Sequence, residues 1–393
     1  MVRYRGRLDY LLDLHLRDGL GSLRSGVTNL LRMGAYQLFH MGSVPGYAAV
    51  SETVDQVQAL AGKGLAGMTN GVLRSLGREG ADETRFPSFD EDPRGYLTSW
   101  GSHPRWLIDR WVDRWGPDEA RRLVEFNNTV PGLYLRLMVG GETLASAVSR
   151  LAGVGIEARP GPPGSRTVRL EAGTDPLRAL GALPSIVQDP AAAWVVAHAG
   201  PVEGLEAADL CAAPGGKTMG LWSEGARVVA LDRSAPRLQR VAETSRRLRA
   251  RIPTVVAAAE AVPLRPRDLV LVDAPCTGTG TLSRHPDARW RLEPGDIERM
   301  ARVQNRILAG AAGAVRPGGL LIYSTCSLEP EENEGRVEEF LREHPGFIVE
   351  DGPDSTPDST KGPPVQALDG AFLRALPQRT GTDGAFAARL RRR

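Results

Sequence analysis

Cysteine is scarce in this sequence: Cys211, Cys276 and Cys326 are the three in a chain of 393 residues. They form no CxxC pair, so the ligand spacing that zinc wants is missing and no metal is expected. An odd count without an even framework argues against a disulfide-stapled secreted protein and for a reducing, cytoplasmic compartment. Long apolar runs are lacking too. None reaches the ~18–20 residues that cross a bilayer, and the opening MVRYRGRLDYLLDLHLRDG mixes both charge signs where a signal peptide needs an apolar centre. No membrane partner is expected. Excess charge is also missing: the net charge of +2 does not announce a nucleic-acid binder, so local Arg clusters must carry that case. The composition, 41% hydrophobic and 24% charged, is that of a globular protein, and the length allows two or three domains.

Two nucleotide signatures are absent. DLCAAPGGKT ends in Gly-Lys-Thr, but a phosphate loop needs a glycine where Cys211 stands, five positions before Gly216. The dinucleotide pattern GxGxxG does not occur either. Nucleotide hydrolysis and dinucleotide binding are therefore disfavoured.

What is present has a clear order. Residues 1–80 read as helical, with Val27, Leu30, Leu31, Tyr36, Leu38 and Phe39 near helical spacing. REGADETRFPSFDEDPRG reads as a linker. Residues 100–128 return to helix, with Trp106, Leu107, Trp111 and Trp115 on one side as core. GLYLRLM, LASAVSRLAGVG and TVRLEA suggest a small α/β unit. From about residue 186 strands and helices alternate regularly, which implies a mostly parallel sheet wound by helices, with ligands beyond the carboxyl ends of its strands. DGPDSTPDSTKGPP, at 351–364, looks like a disordered insert.

The chemistry-bearing residues fall at those strand ends. In the glycine loop, Gly215 and Gly216 let backbone approach a ligand whose anionic part would face the following helix. Asp232 ends the second strand, where an acid can accept from ribose hydroxyls; Glu260 follows the third and Asp273 ends the fourth. A loop suited to a carboxylate plus an acid for a ribose, without a phosphate signature, suits S-adenosylmethionine better than NAD or ATP. Cys276 and Cys326 each lie just beyond an apolar strand, and their motifs alone do not rank them. Cys211 reads as a small buried hydrophobe. The Arg run of RLQRVAETSRRLRARI reads as a solvated helix face, whereas Arg284, His285, Arg289 and Trp290 in SRHPDARWR follow the Cys276 loop and are candidates for RNA phosphates and bases. The terminal RLRRR is either a solvated tail or an RNA contact.

Together DLCAAPGGKT, ALDRS, VDAPCTGTGTLSRHPDARWR and YSTCSLEPEENE resemble the Sun-type RNA 5-methylcytosine methyltransferases. LRMGAYQLFHMGSVPGYAAVSETV and GKGLAGMTNGVLRSL resemble the NusB-like domain that precedes the catalytic domain in the methyltransferase B branch acting on small-subunit ribosomal RNA. The NusB-like part looks shortened at its front, Met138 stands where the family usually has Asn, and Glu260 replaces a usual Asp. The resemblance implies an α/β fold with a Rossmann-like S-adenosylmethionine-dependent methyltransferase sheet, an all-α NusB-like domain and a small α/β RNA-binding subdomain. The corresponding ranges are 1–85, 86–185 (with linker helices) and 186–393. It implies a cytosine carbon-5 methyltransferase of 16S ribosomal RNA, acting as a cytoplasmic monomer on that RNA or its small-subunit precursor. The same chemistry on transfer RNA or another ribosomal site, or a non-catalytic assembly factor, are the alternatives.

By the same resemblance Cys326 is the nucleophile, Cys276 assists release, Asp273 hydrogen-bonds the cytosine ring, and Lys217 orients Asp273 or raises the local potential. Cys211, Ala212, Ala213, Pro214, Gly215, Gly216, Lys217, Asp232, Glu260 and Asp273 hold the cofactor.

Overall fold

The computed structural model describes residues 1–138, 142–353 and 362–393. The insert expected at 351–364 therefore lies largely outside the described residues. The chain divides into two compact units: Met1–Thr129 with His285–Arg291, and Val130–Arg284 with Leu292–Arg393. No described helix is long and apolar enough to cross a membrane.

The first unit is helical: α1 (Arg5–Asp13), α2 (Ser25–His40), α3 (Gly46–Ala61), α4 (Lys63–Glu79), α5 (Pro93–Ser99), α6 (Arg105–Trp115) and α7 (Pro117–Asn127). The expected stripe on α2 is real: Val27 and Leu31 are fully buried, with Leu30, Tyr36, Leu38 and Phe39 packed around them. Leu8, Leu11 and Leu12 of α1 and Leu73 and Leu76 of α4 close that core. Of the α6 tryptophans, Trp111 is the one wholly inside.

Segment 285–291 belongs to this unit, and its arginine is put to an unexpected use. Arg289 is 0% exposed. Its Nη1 donates to Ser102 O at 3.1 Å and Asn128 Oδ1 at 2.9 Å, and its Nη2 donates to Asn127 O at 3.0 Å. Burial pulls its pKa down to about 9. A guanidinium with no accessible surface, spent on the backbone after α5 and α7, does not reach an RNA phosphate. Trp290 is likewise engaged, donating to Val2 O at 3.0 Å beneath the Arg5 guanidinium. His285 is exposed. Arg289→Ala should destabilise this unit by roughly 3–5 kcal/mol, since it strands buried acceptors and empties a large volume. Chemical denaturation followed by tryptophan fluorescence measures it; a loss under about 1 kcal/mol would contradict this role.

The second unit holds two sheets. The smaller is antiparallel, ordered β2–β3–β1–β4, from β1 (Leu133–Leu137), β2 (Ala158–Pro160), β3 (Thr167–Leu170) and β4 (Ser185–Val187). Helices α8 (Leu144–Ala152) and α9 (Pro176–Ala182) contribute Ala147, Leu151 and Ala179 to its core.

The larger sheet begins with α10 (Pro190–His198), β5 (Glu206–Asp209), α11 (Gly216–Ser223), β6 (Arg227–Asp232), α12 (Ala235–Arg247) and β7 (Thr254–Val256). It continues with β8 (Arg267–Asp273), α13 (Pro294–Ala314), β9 (Val315–Thr325), α14 (Glu334–Glu343) and β10 (Phe347–Glu350), then β11 (Leu368–Asp369), β12 (Phe372–Ala375) and β13 (Ala385–Arg392). The order is β11–β12–β13–β9–β8–β5–β6–β7, with β10 also pairing β13. The run β9–β8–β5–β6–β7 is parallel, as the alternation predicts. Its central strands β8 and β9 are buried on both faces along LVLV and LLIY, which is why these read as unbroken apolar runs. The order reverses between β5 and β8, so a ligand crevice is expected at their carboxyl ends.

The remaining strands correct the expectation of a mostly parallel sheet. β13 runs antiparallel against β9 from Phe386↔Thr325 to Arg391↔Leu320, and β12 and β10 pair antiparallel along β13. The arginines of the expected tail lie in that strand. Arg389 donates to His198 O at 2.9 Å and ion-pairs with Glu350, which Arg391 also grips at 2.5 and 2.8 Å. These contacts hold the Glu350 carboxyl down at about 2, the Arg391 bond first.

Candidate active site

Five parallel strands deliver their carboxyl ends to one edge, and four of them present chemistry there. After β5 the chain turns through Cys211–Gly216 into α11. Gly215 has φ +110°, which disfavours any L side chain, and a Cβ on Gly216 would lie 2.7 Å from Gln188 Nε2. The loop is therefore glycine for steric reasons, and its amides open a helix N-terminus.

Asp232, ending β6, is 2% exposed and accepts from Ala213 N at 3.2 Å and Ser234 N at 2.9 Å. It braces the glycine loop, with half of its four lone-pair sites still free. Glu260 is exposed. Cys211 is pushed well above the ordinary thiol range by burial first, then by the negative charges of Asp209, Asp273, Asp232 and Glu260. It is a half-buried thiol packed against the core, held protonated among four acids and unsuited to nucleophilic work.

Asp209 escapes the sequence reading. It ends β5 with 1% exposure and accepts from Thr218 Oγ1 at 2.7 Å, tying the strand end to α11. Burial raises its pKa to about 7. An acid protonated more readily folded than unfolded makes stability fall as pH rises from about 4 to 7. Asp209→Asn should reduce that slope. Denaturation midpoints measured across the window check it, and an unchanged slope would assign the titration elsewhere.

Lys217, the second residue of α11, extends to Asp273 at the end of β8, with Nζ 2.7 Å from Oδ2. Ser324 on β9 donates to Asp273 Oδ1 at 3.0 Å, so the carboxylate is held from two sides. Burial alone would lower the lysine, but Asp273, the Cys326 sulfur and Asp209 face it and raise its pKa overall. The two cysteines follow β8 and β9, and their sulfurs lie 3.4 Å apart as free thiols. The Cys276 thiol is driven well up by its hydrogen bond with Cys326, by burial, and by the negative charges of Cys326 and Glu332.

Arg284 does not face outward. Its guanidinium donates to Asp383 at 2.6 Å, Asp189 at 2.8 Å and Gly132 O at 3.0 Å. Asp383 is itself raised to about 7 by burial and by the Asp189 charge. Arg284 is a half-buried clamp whose guanidinium is already engaged by two carboxylates, which does not favour the expected phosphate contact. The structure thus brings Cys211–Lys217, Asp232, Asp273, Cys276 and Cys326 to one edge. Of the four expected RNA contacts, His285 is exposed, Arg284 and Trp290 are half-buried, and Arg289 is buried.

Comparison with known proteins gives the site its setting. Residues 198–391 match the family described as 16S rRNA methyltransferase RsmB/F, residues 1–78 the NusB family, and residues 103–175 the ferredoxin-like domain of RsmF/B-like methyltransferases. Ribosomal RNA small subunit methyltransferase B of Klebsiella pneumoniae is 32% identical over 394 residues, covering 96% of this chain and 88% of that protein. The chain belongs to the 16S rRNA methyltransferase RsmB/F family. The Erwinia tasmaniensis protein of the same description is 32% identical over 408 residues, with 99% and 88% covered.

A solved methyltransferase homologue from Pyrococcus horikoshii superposes with TM-score 0.62 at 25% identity, covering 76% of this chain and 97% of that one. NSun6 from the same organism has the same fold, with TM-score 0.60 at 22% identity over 74% and 98%. This RsmB/F family member is accordingly an S-adenosylmethionine-dependent RNA methyltransferase with a NusB domain, a ferredoxin-like subdomain and a Rossmann-like catalytic sheet.

Proposed function

We propose that this protein methylates carbon 5 of a cytosine in 16S ribosomal RNA, through a covalent bond between the base and Cys326. The observation that carries the reading is the pair of sulfurs 3.4 Å apart at the ends of adjacent parallel strands, beside the Lys217–Asp273 ion pair.

The site fits S-adenosylmethionine. Its four acids, Asp209, Asp232, Glu260 and Asp273, suit a ligand carrying an ammonium and a sulfonium, while the α11 amides behind Gly215 suit its carboxylate. Cys211–Lys217, Asp232, Glu260 and Asp273 would hold it, and it supplies the methyl group.

Carbon 5 of cytosine is a poor nucleophile until something adds to carbon 6. The Cys326 thiolate forms the sulfur–carbon 6 bond and pushes an electron pair through the ring towards nitrogen 3. Asp273 hydrogen-bonds the ring there, with its own charge balanced by Lys217. Carbon 5 then takes the methyl. Removal of the proton left on carbon 5 restores the double bond and expels Cys326. Cys276 is the adjacent group for that removal, and it must surrender its own proton first. The target base must leave any stack to reach this edge.

The test is bisulfite sequencing of 16S ribosomal RNA from a strain lacking the gene. One protected cytosine should become convertible and regain protection on complementation. If every protected cytosine stays protected in the deletion strain, the reading is wrong.

A further inference from the structure

We propose that Glu332 is the positioning residue that holds the two cysteine loops in register and so fixes the separation of their sulfurs. This rests on the two-cysteine reading above. The sheet itself does not provide that register. The ladder between β8 and β9 ends at Asp273↔Ser324, followed by a bond from Ala274 N to Ser324 O. Both cysteines lie beyond it, where Gly280 N to Cys326 O at 3.0 Å and Leu328 N to Thr279 Oγ1 at 2.9 Å tie the loops on the far side of Cys276 but do not reach residues 275–277.

The Glu332 side chain, 0% exposed, takes over where the ladder stops. Oε1 accepts from Thr277 N at 2.9 Å and from Gln304 Nε2 at 3.0 Å. Oε2 accepts from Thr277 Oγ1 and Ser327 Oγ. Gln304, on α13, also donates to Pro275 O at 3.0 Å. Residues 275 and 277, flanking Cys276, and 327, following Cys326, are thereby joined through one carboxylate. Glu332 is anchored in turn: its carbonyl accepts from Tyr323 Oη at 2.6 Å, and the next side chain, Asn333, bonds Thr325 Oγ1 at 2.6 Å and Ser327 O at 2.9 Å.

The residue type follows from the donor set. Four donors meet two oxygens, and an ionised carboxylate offers four acceptor sites and no hydrogen of its own. All four donors are neutral, and burial raises the carboxyl pKa despite them. Keeping an anion here therefore costs stability. Glutamine would turn an N–H towards one pair of donors, and aspartate is a methylene too short to span the loops. The anion also acts on Cys276: after the hydrogen bond with Cys326, burial and the Cys326 sulfur, its charge adds to the rise of that thiol, while Lys217 faces Cys326.

The test compares wild type, Glu332→Gln, Glu332→Ala and Gln304→Ala, the last removing one link of the clamp. Each is first titrated with S-adenosylmethionine by calorimetry, which reports an intact glycine loop and fold. Bridging of the two thiols by phenylarsine oxide then reads their separation without any methylation. Iodoacetamide alkylation across pH reads the Cys276 proton. With cofactor affinity held, Glu332→Ala should lose bridging and about a hundredfold in kcat, with little change in KM for RNA. Glu332→Gln should shift Cys276 alkylation to lower pH, and Gln304→Ala should move bridging and kcat in the same direction by a smaller factor. If the Glu332 variants that bind cofactor bridge, alkylate and turn over like wild type, the assignment is overturned; if Glu332→Ala does not fold, the Gln and Gln304→Ala variants decide by the same readouts. A wild type that bridges its thiols yet methylates no RNA would sink the enzymatic reading and leave the clamp standing.

Discussion

Cys326→Ala should abolish methyl transfer and form no covalent RNA complex, whereas Cys276→Ala should accumulate one. The asymmetry follows from the order of bond making. Without Cys326 nothing adds to carbon 6, and carbon 5 stays unreactive. Without Cys276 addition and methylation proceed, but the carbon-5 proton has no adjacent acceptor, so elimination stalls with RNA attached. Turnover should drop by about 10² to 10⁴, the usual worth of a positioned acid–base group. The measurement is a protein–RNA species of retarded mobility that survives denaturing detergent, formed with cofactor and 16S RNA. Such a species in Cys326→Ala would exchange the two roles. The surroundings already favour the stated order, because Cys276 feels the Glu332 charge while Cys326 faces Lys217.

Asp273→Asn should lower kcat/KM by about a thousandfold while leaving the protein folded. The change removes the hydrogen-bonding anion from the base and strips Lys217 of its partner at 2.7 Å. Burial alone acts to lower the lysine pKa, so its proton should be lost at lower pH than in wild type. The pH–rate profile of the variant should therefore fall on its alkaline side before that of wild type. An unaltered profile with near-normal activity would remove Asp273 and Lys217 from the mechanism. Asp273→Ala should lose more, because Ser324 Oγ then has no acceptor there.

The sequence made some of this legible and hid the rest for physical reasons. Parallel strands buried on both faces are written as apolar runs, so β8 and β9, and the cysteines just beyond them, were visible. The glycine loop announced itself because Gly215 occupies a backbone region closed to other residues. Buried charges were not visible. Arg284 and Arg289 read as surface arginines, because the partners that engage them, Asp189 and Asp383 for one, Asn127 and Asn128 for the other, lie far away in sequence. The terminal RLRRR reads as a solvated tail or an RNA contact for the same reason: Glu350, which neutralises Arg389 and Arg391, is supplied by another strand. Glu332 lay within EPEENE, where nothing separates it from Glu331 or Glu334 until the fold turns one carboxylate inward.

The placement of β13 bears on how the protein is made. It follows every other described strand in sequence, yet it lies inside the larger sheet, flanked by β12 and β10 on one side and by β9 on the other. A ribosome delivers the chain from its N-terminus, and earlier segments can fold as they emerge. The small antiparallel sheet has all its strands by residue 187, but β9, which carries Cys326 at its end, keeps an open edge until residues 385–392 appear. The helical unit waits as well, because Arg289 arrives long after α7 has been synthesised. Neither unit is finished while the chain is young, so the catalytic edge takes shape only once residues 385–392 have been delivered.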